Sequence, residues 1–128
     1  MGEFAVVDQP SDCPTELWVS IQEFWPESEL INAVNIARLE SKLDAFAVAD
    51  TTTPSAPCGH IIGQRNGVFI AAERSIGYFQ INSCNFPDWE WQRLYNARHN
   101  AGTAHLLWTN AGGGWSPWAF SATTLGLI

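Results

Sequence analysis

The sequence predicts an α+β domain, mostly helical, with one small β-hairpin. Three observations carry this prediction. Apolar residues recur three and four apart in the first half of the chain: Trp18, Ile21 and Trp25, then Leu30, Ile31, Val34, Ala37 and Leu43. Two apolar runs flank Asn66-Gly67, a pair suited to the positive φ angles of a tight hairpin turn. Asn96 stands before a helical stretch whose inner stripe is Ala97, Ala101, Ala104, Leu107 and Trp108.

The elements follow in order. Residues 5–25 are irregular, punctuated by Pro10 and Pro14, with a short helix over 15–24. Pro26-Glu27-Ser28-Glu29 opens the second helix, because proline fits a first turn and acids there suit the helix dipole. This helix closes on Ala37-Arg38-Leu39-Glu40-Ser41-Lys42-Leu43. Residues 44–59 read as a loop, since Pro54 and Pro57 exclude a regular helix. The hairpin spans 60–70. Ser75 through Ser83 reads as an extended segment in which Gly77 marks a tight backbone or a close approach. A short helix is expected over 88–95 and a longer one from Asn96 to about Asn110, ended by Gly112-Gly113-Gly114. After Trp115-Ser116-Pro117-Trp118 the tail is weakly patterned.

Bulk properties exclude several functions. With 128 residues, 46% hydrophobic and 15% charged, the chain is long and apolar enough for one folded domain. The net charge is −7, from six basic and thirteen acidic residues, with no basic run. Phosphate-backbone binding needs a positive patch, so no nucleic acid is expected. No run approaches the roughly 20 apolar residues of a membrane helix, so no membrane insertion is expected. The start, Met1 through Asp8, has neither a basic region nor a long apolar core, so no signal peptide is visible. Cys13, Cys58 and Cys84 allow one internal disulfide at most, and the pairing stays open. Cys58-Gly59-His60 lacks partners at zinc spacing, so neither a metal nor another cofactor is expected.

Glu40 is the residue with chemical potential. Ile36 and Ala37, four and three residues before it, and Leu43, three residues after it, are apolar. Two readings follow: the side chain bends out to water at a helix end, or it is held dry. Desolvation disfavours a charged carboxylate, and a carboxyl that keeps its proton near neutrality can act as a general acid. Gln80 and Asn82, two residues apart, share one face if extended and would then present two amides together, or they are ordinary polar residues of an edge strand.

Taken together, three motifs resemble the lysozyme-like superfamily, closest to soluble lytic transglycosylase domains of phage and actinobacterial type. They are Ala33-Val34-Asn35-Ile36-Ala37-Arg38-Leu39-Glu40-Ser41, Gly77-Tyr78-Phe79-Gln80-Ile81-Asn82-Ser83, and Asn100 through Trp118. The second is similar to the family's Gly-Leu-Phe-Gln-Ile-Asn. The resemblance covers about 28–120 and implies a lysozyme-like fold, with the hairpin beside a substrate cleft. It divides the chain into an N-terminal segment, 1–25, and a catalytic region, 26–128, within one domain. It implies peptidoglycan glycan strands as partner, the bond between N-acetylmuramic acid and N-acetylglucosamine as target, and the bacterial cell wall as the place of action.

Residue by residue, Glu40 matches the family's catalytic acid and Ser41 the adjacent serine, a helix-end hydrogen-bond partner that the resemblance places, with Ser75, among the substrate-binding residues. Gln80 and Asn82 match residues lining the sugar cleft. Trp115 matches the tryptophan that stands against the acid in animal-type lysozymes. Two departures appear: Lys42-Leu43-Asp44-Ala45 replaces the usual sequence after Glu-Ser, and the segment from Asp44 to Arg74 is longer than usual. A hydrolase needs a second carboxylate. Animal-type lysozymes carry an aspartate two residues before the motif's glycine, where this chain has Ser75. Glu73 stands two residues further back, with Asp44 and Asp50 behind it as candidates. A lytic transglycosylase needs no second carboxylate, because the muramic acid's own 6-hydroxyl attacks, and Ser75 leans the reading that way. The other readings are a muramidase using Glu73, a non-catalytic glycan-binding module such as a phage tail piece, and a chitin or chitosan hydrolase. An acidic chain acting on an anionic wall lacks electrostatic steering, so a separate targeting domain or a tail assembly is expected.

Overall fold

The computed structural model describes residues 7–53, 60–83 and 91–128. Among these residues the fold is α+β and mostly helical. The helices are α1 (Thr15–Phe24), α2 (Leu30–Ser41), α3 (Ala97–Asn110) and α4 (Ala119–Thr124). The strands are β1 (Val48–Thr53), β2 (His60–Arg65), β3 (Val68–Ile76) and the two-residue β4 (Ile81–Asn82). Short 3-10 turns precede α2, α3 and α4, at Glu27–Glu29, Trp91–Tyr95 and Ser116–Trp118. No helix among the described residues is long and apolar enough to cross a membrane.

The helices form where the apolar spacing puts them. In α1, Leu17, Trp18 and Ile21 are buried, and Trp25 follows one turn on. In α2, Leu30, Ala33, Val34, Ile36 and Ala37 are buried. Ile31, expected on the inner stripe, is 41% exposed, because the buried face follows Ala33 and Ile36 instead. In α3 the Asn96 carboxamide oxygen accepts from the backbone N–H groups of Arg98 and His99, as its capping role predicts. Ala97, Ala101 and Ala104 form the buried stripe of α3, with Leu107 and Trp108 partly buried behind them. Each fully buried Leu, Ile or Phe contributes about 1.5–3 kcal/mol. Leu17, Ile21, Val34, Ile36 and Phe79 are all at 0% exposure in one shared core. That core takes residues from both sides of the expected 25/26 boundary.

The hairpin forms as predicted, with Asn66 at φ 51° and Gly67 at φ 77° between β2 and β3. The sheet is larger than expected. β3 is central and antiparallel to both β1 and β2, in the order β1-β3-β2, and β4 pairs with the end of β3. Residues 48–53, read as loop, form β1 in register from Val48 opposite Ile76 to Thr53 opposite Ala71. The two prolines used in that reading fall after the strand, whose Val and Thr residues suit an extended backbone. Of the helix expected over 88–95, a 3-10 turn is present at Trp91–Tyr95, and 88–90 lie outside the described residues. So do Cys58 and Cys84, and with them the disulfide pairing. The tail is not unpatterned: Pro117 in the first turn of its 3-10 segment leads directly into α4.

Ion pairs fix α2 and α3 to their neighbours. Arg38 of α2 makes a bidentate contact with Asp12 at 2.7 and 2.8 Å, and its hydrogen bonds hold the Asp12 carboxyl below the usual carboxylate range. Arg98 of α3 pairs with Glu23 of α1 in the same manner. Cys13, beside Asp12, is a free thiol at 4% exposure. Burial, then the adjacent Asp12 charge, pushes it up to about 11 from the ordinary 9.0. The folded value lies above the unfolded one. The stabilising effect of the neutral thiol is therefore complete below about pH 9 and lost as pH rises through about 11. Iodoacetamide at pH 8, followed by peptide mass mapping, should leave Cys13 unlabelled in the folded protein and label it in denaturant. Rapid labelling at pH 8 without denaturant would contradict this burial.

Candidate active site

The site begins where α2 stops. Ala37 and Ile36, the residues three and four before Glu40, are fully buried, which turns Glu40 toward the interior edge of the helix. Glu40 is half-buried. It is not enclosed by apolar groups alone, because the Ser121 hydroxyl of α4 donates to its Oε2 at 2.5 Å. The chain turns sharply just after it. Lys42 and Leu43 both take left-handed conformations, at φ 55° and 60°. The Lys42 N–H closes the helix onto Arg38 O at 2.9 Å. Ser41, expected as a helix-end hydrogen-bond partner, donates its hydroxyl to Ala37 O at 2.9 Å and is buried. Its short side chain satisfies a carbonyl of its own helix.

Facing α2 is the turn over 77–80 between β3 and β4. Gly77 has φ +76°, and a Cβ there would meet the Asn100 amide and stand 2.5 Å from Leu94 O. Asn100 is fully buried and explains this close approach. Its Nδ2 donates to Ile76 O at 2.8 Å and Leu94 O at 2.9 Å, while its Oδ1 accepts from Phe79 N–H at 2.9 Å. The Trp118 indole N–H donates to Phe79 O at 2.8 Å. Both polar groups of the Phe79 backbone are thus held by side chains from the C-terminal half. On the far side, buried Tyr78 donates its hydroxyl to Glu16 of α1 at 2.6 Å. Burial first, then that carboxylate, raises the Tyr78 hydroxyl above its ordinary value.

Gln80 is not in a strand. Its φ of +50° places it in the turn, and its Nε2 donates to Ala47 O and Gly77 O, each at 3.0 Å. The expected shared extended face with Asn82 therefore does not form. Of these two amides, Asn82 alone is in β4, where it pairs with Ser75 of β3. Nonetheless Glu40, Ser75, Gln80 and Asn82 line one cleft of about 410 Å³. Its apolar walls are Ile81, Leu107, Pro117 and Trp118. Glu40 is the one ionisable side chain among these lining residues. The rest are hydroxyl, amide and apolar groups, suited to a neutral polyhydroxylated ligand.

Trp115 is not at the cleft. It is buried behind Trp118, stacks on Trp25 at 5.5 Å between ring centroids, and donates its indole N–H to Glu29 at 2.9 Å. Trp118, and not Trp115, lines the cleft with Glu40, because the 3-10 turn over Ser116–Trp118 brings the later tryptophan there. Glu73 shares a face of β3 with Ser75 but is not a lining residue; its carboxylate accepts from the Asn82 amide at 3.4 Å. Among the described residues no three His, Cys, Asp or Glu side chains gather as metal ligands would.

The sequence reading missed Ser121 and Trp118. For Trp118, the signal was the Ser-Pro step that starts a new helical turn and resets the phase of the aromatic pair. Ser121 carries no local signal; it meets Glu40 across 81 residues of chain. No protein-family model matches the chain, and no curated protein or solved structure matches it significantly.

Proposed function

We propose that this chain is a peptidoglycan lytic transglycosylase of lysozyme-like fold, with Glu40 as its general acid and then base. The observation that carries the reading is the cleft that Glu40, the lone ionisable group among its described lining residues, shares with Ser75, Gln80 and Asn82. The order of parts supports it as well: a helix ending on Glu40-Ser41, a hairpin, the Gln80-Ile81-Asn82 turn and strand, then a helix capped by Asn96.

The chemistry needs one carboxyl. Glu40 donates its proton to the oxygen between N-acetylmuramic acid and N-acetylglucosamine as the bond from that oxygen to muramic acid C1 breaks. Positive charge develops at C1. The 6-hydroxyl of the same sugar attacks C1, and its proton passes to the Glu40 carboxylate. A 1,6-anhydro end forms, no water is consumed, and the acid is regenerated. Trp118 and Leu107 supply apolar surface for a sugar face, and the side-chain amide of Asn82 supplies polar contact at the rim.

One observation favours a second reading, hydrolysis by a muramidase. Glu73 is hydrogen-bonded to Asn82, which itself lines the cleft, so a second carboxylate stands one side chain back from it. The two readings separate in Glu73→Gln. A transglycosylase should keep its rate of soluble muropeptide release from purified peptidoglycan within about threefold of wild type. A hydrolase using Glu73 should lose about 10²-fold or more. Binding to the wall with no release by the wild-type chain would refute both and favour a non-catalytic glycan-binding module.

A further inference from the structure

We propose that Ser121 is a positioning residue that holds Oε2 of Glu40, so that Oε1 is the oxygen that delivers and recovers the proton. The proposal rests on the reading of Glu40 as the catalytic acid. Its ground is the 2.5 Å contact from the Ser121 hydroxyl to Glu40 Oε2. That distance is in the range of charge-assisted O–H···O bonds. Ser121 is 1% exposed, so water does not compete for its hydroxyl. Among the described residues Oε2 has this partner and Oε1 has none.

A half-buried glutamate at a helix end has three side-chain torsions to settle, and the last is broad and roughly two-fold. A fixed donor on one oxygen removes that freedom and orients the other oxygen. The donor is well placed to do so. Ser121 lies on α4, three residues after Trp118, whose indole is bonded to Phe79 O and whose ring lines the cleft. Pro117, which opens the same segment, also lines the cleft. One stretch of chain therefore sets both the wall of the cleft and the orientation of the acid. Misorientation costs rate and not affinity, since reacting groups must be aligned within a few tenths of an ångström.

The test compares wild type with Ser121→Ala, Ser121→Thr and Glu40→Gln on soluble N-acetylglucosamine–N-acetylmuramic acid oligomers, with kcat and KM measured separately. Ser121→Ala should lower kcat by about 10–100-fold, the effect of losing a hydrogen bond to a charged group. KM should stay near wild type, and the melting temperature should fall by no more than about 10 °C. Ser121→Thr, which keeps the hydroxyl, should recover most of kcat. A kcat for Ser121→Ala equal to wild type, beside an inactive Glu40→Gln, would overturn the role of Ser121 alone. So would a fall in kcat that tracks a fall in melting temperature and is not recovered by threonine. Equal activity of Glu40→Gln and wild type, or none in either, would overturn the reading of Glu40 and this proposal with it.

Discussion

Glu40→Gln should reduce muropeptide release by about 10²–10⁴-fold, the contribution typical of a positioned general acid. The substitution separates chemistry from structure. Glutamine has the same length and keeps an oxygen that can accept the Ser121 hydroxyl, so the contact that ties α2 to α4 survives. Its amide has no proton to give to a leaving oxygen and cannot take one back. Since Glu40 is the lone ionisable side chain among the described residues that line the cleft, none of these neighbours can substitute for it. Thermal unfolding of the variant should match wild type within about 5 °C, because the Ser121 bond is kept in neutral form and the volume is unchanged. A variant that still clears cell walls at a comparable rate would remove Glu40 from the chemistry.

Gly77→Ala should be the most damaging single-atom change to the fold. Two costs add. The residue sits at φ +76°, where an L side chain is strained by about 1–2 kcal/mol. The new Cβ would also press on the Asn100 amide and stand 2.5 Å from Leu94 O. Neither neighbour can yield cheaply: one is backbone, and the other is a fully buried amide engaged in three hydrogen bonds. A total loss of about 3 kcal/mol or more follows, since each broken bond would leave a buried polar group unpaired. That corresponds to a drop of about 10 °C in melting temperature for a chain of this size. Activity should fall with it, because Gly77 O and Gly77 N–H are part of the bonding that seats Gln80 and Ala47 beside the cleft. Urea unfolding monitored by tryptophan fluorescence checks the first expectation. A midpoint unchanged from wild type would show that the turn accommodates a methyl group.

What could be read from the sequence was local. The stripe of Trp18, Ile21 and Trp25, the cap at Asn96 and the Asn66-Gly67 turn each act over a few residues, and each appears where the pattern put it. Contacts between distant segments were not legible. β1 is extended because β3, whose paired residues lie 18–28 positions later in the chain, offers it a partner edge; its own Val and Thr residues allow that conformation without requiring it. The buried face of α2 was misjudged at Ile31 because apolar character alone does not say which stripe meets the core. In the sequence Asn100 only marks the start of the third motif; its three bonds to the 76–79 backbone and to Leu94 exist only once α3 is docked on the turn. The site was legible to the same depth. Glu40, Ser75, Gln80 and Asn82 come together, whereas Trp115 gave way to Trp118 by a turn of 3-10 helix. Ser121 was invisible because nothing near it in sequence demands a serine.

The most direct test of the central claim is the chemistry of the product ends. Purified peptidoglycan digested with the wild-type chain should yield muropeptides ending in 1,6-anhydro muramic acid, lighter by one water than hydrolysis products by mass spectrometry. That result is expected if one carboxyl serves as acid and base and the sugar supplies its own nucleophile. Reducing ends throughout would contradict it, and would require a second group to activate water, with Glu73 beside Asn82 as the residue to examine next.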